Sequence, residues 1–319
     1  MRVVFVGASR FGFKCLDRIL HLENIEVVGV VTNEERFTIS YAPEGVVNVL
    51  YADLKTFAAA NDIPVHVMQT KMTETGLVAQ VKAWQPELFV VVGWYHMVPR
   101  ILRDMAPAVG LHASLLPDYS GGAPLVWAII NGETEAGITL FEFADGVDNG
   151  PVLGQASTEI TPEDTIATVY GRIEVLGLDL LVRCLPRVAG GTAQRLVQDE
   201  SKRRVFPQRR PEDGLVDWNQ PAQSIYNFVR AQTHPYPGAF TFHHGKKLHI
   251  WHARVADAGV LQGSTPGICS LLDGQVLVAC GNNTAIEILQ VSADGAEVTA
   301  TTWFSQHDKH APVVFDAPR

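Results

Sequence analysis

Three short stretches gather residue types that can move protons or bring bare backbone to a ligand. His112 closes the apolar run Val109-Gly110-Leu111-His112 and is followed by Ala113-Ser114-Leu115-Leu116-Pro117. Imidazole is the side chain whose ordinary pKa lies nearest neutrality, so it can take or give a proton during turnover. Gly121-Gly122-Ala123-Pro124 comes next, where missing Cβ atoms let main chain approach a ligand closely. Farther along, Asp145-Gly146-Val147-Asp148-Asn149-Gly150-Pro151 is an acid-rich turn behind a second apolar run, 137–143. His112 and Asp148 lie 36 positions apart, too far to meet within one element. Two neighbouring strand ends would bring them together as an acid–base pair.

The apolar patterning supplies such strands. Val3-Val4-Phe5-Val6 reads as a buried strand, 7–12 as a turn, and Phe13, Leu16, Ile19 and Leu20 recur at helical spacing. Residues 26–32, 64–67 and 88–92 read as further strands, with helices over 54–60 and 78–84 between them. This alternation predicts an α/β fold, a Rossmann-like domain with a parallel-rich sheet covered by helices. Ligands in such sheets sit at the carboxyl ends of strands, where His112 is expected. Gly7-Ala8-Ser9-Arg10-Phe11-Gly12 nearly spells a dinucleotide fingerprint. Ser9 stands where a second glycine should admit a pyrophosphate, so the stretch reads as a tight strand-to-helix turn. A long helix carries Ile166, Val169, Ile173, Leu176 and Leu180 and is closed by Gly190-Gly191. The polar, basic stretch around Ser201-Lys202-Arg203-Arg204 marks a boundary, giving domains 1–204 and 205–319. Beyond it, a helix over 221–231 precedes short strands at 239–242, 247–254, 267–271, 276–279 and 285–291, the pattern of a small β-barrel.

Composition sets the class. At about 150 residues per domain, 319 residues agree with two domains. With 47% hydrophobic and 18% charged residues the chain can bury a sizeable core, which excludes disorder. A net charge of −9 weighs against a protein whose main work is holding a nucleic-acid backbone. Cys15, Cys184, Cys269 and Cys280 include no C-x-x-C pair, so they read as buried apolar residues and no metal is expected. No run approaches the roughly 20 apolar residues of a membrane span. The chain passes from Met1-Arg2 straight into a strand, so the expectation is a cytoplasmic protein with no membrane partner.

The motifs, in order, carry a family resemblance. His112-Ala113-Ser114-Leu115-Leu116-Pro117, then Ile130-Asn131-Gly132-Glu133-Thr134-Glu135-Ala136-Gly137-Ile138-Thr139, then Gly146-Val147-Asp148-Asn149-Gly150-Pro151 resemble the 10-formyltetrahydrofolate-dependent formyltransferases. That family includes the methionyl-tRNA and sugar N-formyltransferases. Arg209-Arg210-Pro211-Glu212-Asp213-Gly214, Asp217-Trp218, Asn227-Phe228-Val229-Arg230-Ala231 and Pro235-Tyr236-Pro237-Gly238-Ala239-Phe240 are similar to the C-terminal domain of the formyltransferase acting on UDP-4-amino-4-deoxy-L-arabinose. The resemblance implies an OB-like barrel for residues 205–319.

It also implies roles. His112 and Asp148 match two of the family's catalytic positions, and Gly110 stands where the third, an Asn amide that stabilises the oxyanion, is expected. 10-Formyltetrahydrofolate would be the formyl donor, held by Tyr95, His96, Met97 and Val98, by Ser114 and Leu115, and by Ala144, Asp145, Gly146 and Val147. The acceptor would be a small-molecule amine, a nucleotide-linked amino sugar, meeting Arg10, Gly121, Gly122, Arg209 and Arg210. Lys202, Arg203 and Arg204 are further candidates for its diphosphate, since Arg pairs bidentately with phosphate. Methionyl-tRNA enzymes of the family carry a basic loop after the second strand. Here Asn33-Glu34-Glu35-Arg36-Phe37-Thr38-Ile39-Ser40-Tyr41 occupies that place, which argues against a tRNA acceptor. Hydrolysis of the formyl donor, methionyl-tRNA formylation and folate binding without turnover stay open as alternatives, as does a homodimer.

Overall fold

The computed structural model describes residues 1–39, 42–293, 295–307 and 313–315; Ser40 and Tyr41, at the end of the acidic segment, lie outside the described residues. The chain forms two compact units. The first takes 1–121, 137–158 and 171–205, and the second takes 122–136, 159–170 and 206–319.

The chain opens with β1 (Arg2–Val6), α1 (Arg10–Ile19), β2 (Glu26–Thr32) and a hairpin of β3 (Arg36–Ile39) and β4 (Ala42–Val47). Next come α2 (Leu54–Ala60), β5 (Val65–Val67), α3 (Thr75–Trp84), β6 (Leu88–Val91), α4 (Arg100–Arg103) and β7 (Ala108–His112). They are followed by β8 (Ser120–Gly121), α5 (Pro124–Ile130), β9 (Glu135–Glu142), β10 (Val152–Glu159) and α6 (Ile166–Ala189). The remainder holds β11 (Val205–Phe206), α7 (Ala222–Arg230), β12 (Ala239–His243), β13 (Lys246–Ala256) and β14 (Ile268–Leu272). It ends with β15 (Gln275–Cys280), β16 (Thr284–Ala293), β17 (Ala296–Thr299), α8 (Ala300–His307) and β18 (Val313–Val314).

In the first unit seven strands form one sheet in the order β10-β9-β7-β6-β1-β2-β5. β1 pairs in parallel with β2 and β6, and β6 with β7; β9 then runs antiparallel to β7. Val3, Val4, Phe5 and Val6 are wholly buried, as the β-branched run of a central strand covered on both faces must be. The turn after β1 shows why its glycines are there. A Cβ on Gly7 or Gly12 would press on the Val92 carbonyl at 2.5 or 2.8 Å. Ser9 caps α1, its hydroxyl accepting from the Gly12 N–H at 3.0 Å. The near-fingerprint is thus a packing solution for a tight turn.

The second unit holds an antiparallel sheet, β12-β13-β16-β15-β14-β18 with β17 on β16, curled into a nearly closed barrel. α7 packs Ile225 and Val229 into a core with Trp218, Leu248, Ile250 and Ile286. All four cysteines are free and buried, and burial pushes each thiol up, that of Cys280 to about 12, so none is a reactive thiolate. Among the described residues no helix is long and apolar enough to cross a membrane.

Candidate active site

The first unit brings His112 and Asp148 together. β7 ends at His112, and β9 pairs with it in register, Val109 opposite Glu142 and His112 opposite Thr139. The end of β9 thus lies beside the start of β7, and the segment that follows it reaches back to His112. His112 Nδ1 lies 3.5 Å from Asp148 Oδ2, and both side chains are mostly buried. His112 Nε2 lies 2.8 Å from the Tyr119 carbonyl. A carbonyl can only accept, so Nε2 carries a hydrogen and Nδ1 is the nitrogen turned to the carboxylate. Asp148 Oδ2 also accepts from the Gly121 N–H at 2.8 Å. The pair can thus hold and pass one proton between Nδ1 and Oδ2 while its outer contacts stay fixed.

The backbone beneath the pair is held in an unusual shape. Asp148 and Tyr119 have φ of 50° and 52°, a region that non-glycine residues rarely adopt. Gly150 must be glycine, since a Cβ there would meet the Glu142 carbonyl at 1.7 Å. Gln198 secures this turn by donating to the carbonyls of Asp148 at 2.8 Å and Gly150 at 2.6 Å.

Gly110 has no room for a side chain. A Cβ there would lie 2.5 Å from the Phe143 ring and 3.0 Å from the Val91 carbonyl. Phe143 stacks on Phe141, centroids 5.1 Å apart, and Phe141 meets the His112 ring edge-on at 6.5 Å. Aromatic rings thus fill the space beside Gly110 and line one side of the histidine.

The stretches expected to hold the donor are joined by a residue that sequence reasoning missed. Arg103 donates to the Val98 carbonyl at 3.1 Å and to Asp145 at 2.6 Å, tying the 94–98 loop to the 144–148 turn. Its hydrogen bond holds the Asp145 carboxyl below the usual range. In that loop Trp94 Nε1 and His96 Nε2 are buried without a hydrogen-bond partner, and burial lowers the His96 pKa. A loop with unpaired polar atoms facing inward is suited to the edge of a polar heterocycle. Tyr95 donates to Asn48, and Phe37 of β3 lies 5.3 and 5.4 Å from the Tyr95 and His96 rings, so the β3–β4 hairpin rests on this loop. Met97 is exposed. The Ser114 hydroxyl donates to the Asp118 carbonyl at 2.7 Å, and the Leu115 side chain packs over Gly137.

The residues expected to meet the acceptor are divided between the two units. Arg10, exposed at the start of α1, and Gly121 belong to the first unit; Gly122, Arg209 and Arg210 belong to the second. Arg209 is not the open cation the sequence suggests. Its guanidinium lies over Trp127 at 4.7 Å and Phe228 at 5.5 Å, donates to the Asp213 carbonyl and Gln232, and is pushed down in pKa by burial. Arg210 opens a short turn, its N–H donating to Asp213. Arg203 and Arg204 are likewise committed, to Glu200 and Asp118. Sequence displays a charge but not the acid that neutralises it.

An α/β sheet unit thus sets a histidine against a carboxylate. Residues 1–185 match the formyl transferase family and residues 209–308 its C-terminal domain. The chain belongs to the formyl transferase family. It is 35% identical over 298 residues to the methionyl-tRNA formyltransferase of Koribacter versatilis, covering 92% of each chain. Among solved structures it is similar to the N-formyltransferase from Helicobacter canadensis, solved with folinic acid and dTDP-3-aminofucose, at 16% identity and a TM-score of 0.60 over 90% of this chain and 98% of that one. It is also similar to HypX from Aquifex aeolicus with tetrahydrofolic acid, at 17% identity and a TM-score of 0.61, covering 99% of this chain and 51% of that one. At these identities the two structures speak for the fold.

Proposed function

We propose that this protein transfers the formyl group of 10-formyltetrahydrofolate to the amine of a nucleotide-linked amino sugar. The observation that carries the chemistry is the His112–Asp148 pair, with Nε2 fixed on a carbonyl and Nδ1 left for proton work. The neutral amine attacks the formyl carbon, forming a C–N bond and an oxyanion. The charge of the protonated His112 ring stabilises that oxygen, and Asp148 takes the proton shed by the attacking nitrogen. Collapse breaks the bond from the formyl carbon to N10, which regains a proton relayed from the pair. Tyr95, His96, Met97 and Val98 with Ala144, Asp145, Gly146 and Val147 would hold the pterin, largely through main chain. Gly110 contributes no donor, so stabilisation of the oxyanion rests on His112.

The segment after β2 supports a small acceptor: Glu34, Glu35 and Glu44 there outnumber Arg36, whereas holding nucleic-acid phosphates takes cations. A second reading, methionyl-tRNA as acceptor, is favoured by the name and 92% coverage of the relative at 35% identity. One assay separates them. Purified protein is given 10-formyltetrahydrofolate alone, with a UDP- or dTDP-linked amino sugar, or with methionyl-tRNA, and tetrahydrofolate release is followed. Release that requires the sugar nucleotide is the expected result. Release without acceptor marks a hydrolase, release with tRNA alone supports the second reading, and none removes the assignment. His112→Ala and Asp148→Asn should each lower turnover by about 10²–10⁴-fold while the protein stays folded. Near-normal rates in either variant would strike that residue from the mechanism.

A further inference from the structure

The stretch from Gln198 to Arg204 lies in the first unit, and two of its arginines reach the backbone on either side of the reacting pair. All five guanidinium N–H groups of Arg203 are used. Nε and one Nη2 hydrogen go to Glu200, at 2.6 and 2.8 Å. The other Nη2 hydrogen meets Gln198 Oε1 at 3.1 Å, orienting the amide whose nitrogen holds the Asp148 and Gly150 carbonyls. Nη1 bridges the remaining gap, donating to Ser120 Oγ at 2.5 Å and to the Val147 carbonyl at 3.2 Å. Ser120 precedes Gly121, whose N–H is bonded to the Asp148 carboxylate, and Val147 precedes Asp148. Arg204 adds a bidentate pair to Asp118, at 2.7 and 2.6 Å, and covers the Tyr119 ring at 4.8 Å. Tyr119 supplies the carbonyl that fixes His112 Nε2.

We infer that Arg203 is a positioning residue for formyl transfer, clamping the Ser120–Gly121 backbone to the Val147–Asp148 turn so that the carboxylate stays against His112 Nδ1. The inference rests on the reading of His112 and Asp148 given above. Arg203 touches neither of their side chains. It acts through one hydroxyl, one carbonyl and one amide, and its side chain is only 12% exposed. Hydrogen bonding to Glu200 raises the Arg203 pKa, with the Asp148 charge adding to it, so the guanidinium is charged at every working pH. A fork of five donors in a plane does this work, and a lysine with three donors on one nitrogen cannot.

The test uses Arg203→Ala and Arg203→Lys in the full chain, with two measurements. Steady-state kinetics should show kcat reduced about 10–100-fold in both, the scale of a small misplacement of reacting groups, with KM for the formyl donor within about twofold. Amide hydrogen exchange should quicken in peptides spanning 118–122 and 146–150 and stay unchanged over β1 and β6. A kcat within twofold of the parent in Arg203→Ala, or unchanged exchange in those peptides, overturns the proposal. Full recovery of rate in Arg203→Lys would do so too, by showing that charge alone suffices. If exchange quickens but the parent forms no product with any acceptor, the reaction assigned to the pair is what falls, and the clamp stands as a structural device only.

Discussion

The aromatic packing beside His112 makes position 110 the sharpest residue-scale test. An Asn there would add an amide donor near the oxyanion, but its Cβ would enter the Phe143 ring at 2.5 Å. Gly110→Asn alone should therefore lower stability by about 1–3 kcal/mol, the usual cost of overpacking, without raising the rate. Combined with Phe143→Ala the same Asn gains space. Because one oxyanion donor is worth about 10²–10³ in rate, the double variant should outpace Phe143→Ala alone by at least tenfold. Thermal melts and tetrahydrofolate release read both outcomes. A single Gly110→Asn variant that melts with the parent and works faster would show that the ring is no obstacle. At this scale the sequence discloses reacting types better than supporting ones. His112 and Asp148 are visible as strand-end residues, and resemblance marks Gly110 as a departure. Phe143, Arg103, Gln198 and Arg203 carry no such mark, because their significance lies in partners 33 or more positions away or on another loop. The one signal available was an arginine doublet at a boundary, and it pointed to phosphate.

Elements were legible where burial imposed a period. The buried β1 and β6 and the barrel strands β12 to β16 fall within a residue or two of their expected bounds, whereas α1 begins at Arg10, inside the stretch expected to be a turn. The β3–β4 hairpin was not foreseen, since Pro43 and Gly45 interrupt it and its alternating positions face solvent rather than core. α3 begins at Thr75, three residues ahead of its apolar pattern. Glu74 stands at the N-cap with its carboxylate folded back, accepting from the His66 ring at 2.8 Å and from the Thr70 N–H at 3.0 Å. Burial opposes its charge, but the hydrogen bonds from His66, Thr70 and Gln69 together bring its pKa down to about 2 from 4.5. A carboxyl more acidic in the folded than in the unfolded state stabilises fully above the unfolded value, and that contribution fades as pH falls toward the folded one. Stability should thus drop between about pH 4.5 and 2, and Glu74→Gln should remove that part of the slope. At neutral pH the variant should cost about 1.5–3 kcal/mol, the range for a hydrogen bond to a charged group. Denaturant melts across that window decide it. An unchanged slope in Glu74→Gln would assign the acid sensitivity to other carboxylates.

For the molecule as a whole, charge separates the two acceptors more cleanly than any single residue does. The protein carries −9, and the segment after β2 contributes Glu34, Glu35 and Glu44 against Arg36. A tRNA acceptor must have its phosphates neutralised by Lys and Arg, and release of condensed counterions then makes binding fall steeply with salt. Six to ten phosphate contacts would weaken it by about 10³–10⁵-fold between 50 and 200 mM. A sugar nucleotide offers only a diphosphate, so far fewer counterions are at stake. The KM for the acceptor should accordingly rise by no more than about tenfold over that range, while KM for the formyl donor sets the baseline for general salt effects. The kinetic assay with salt as the variable is sufficient. A slope of the nucleic-acid kind would mean that cations elsewhere on the surface outweigh the acidic segment after β2, and the acceptor assignment would pass to tRNA with His112 and Asp148 keeping their roles.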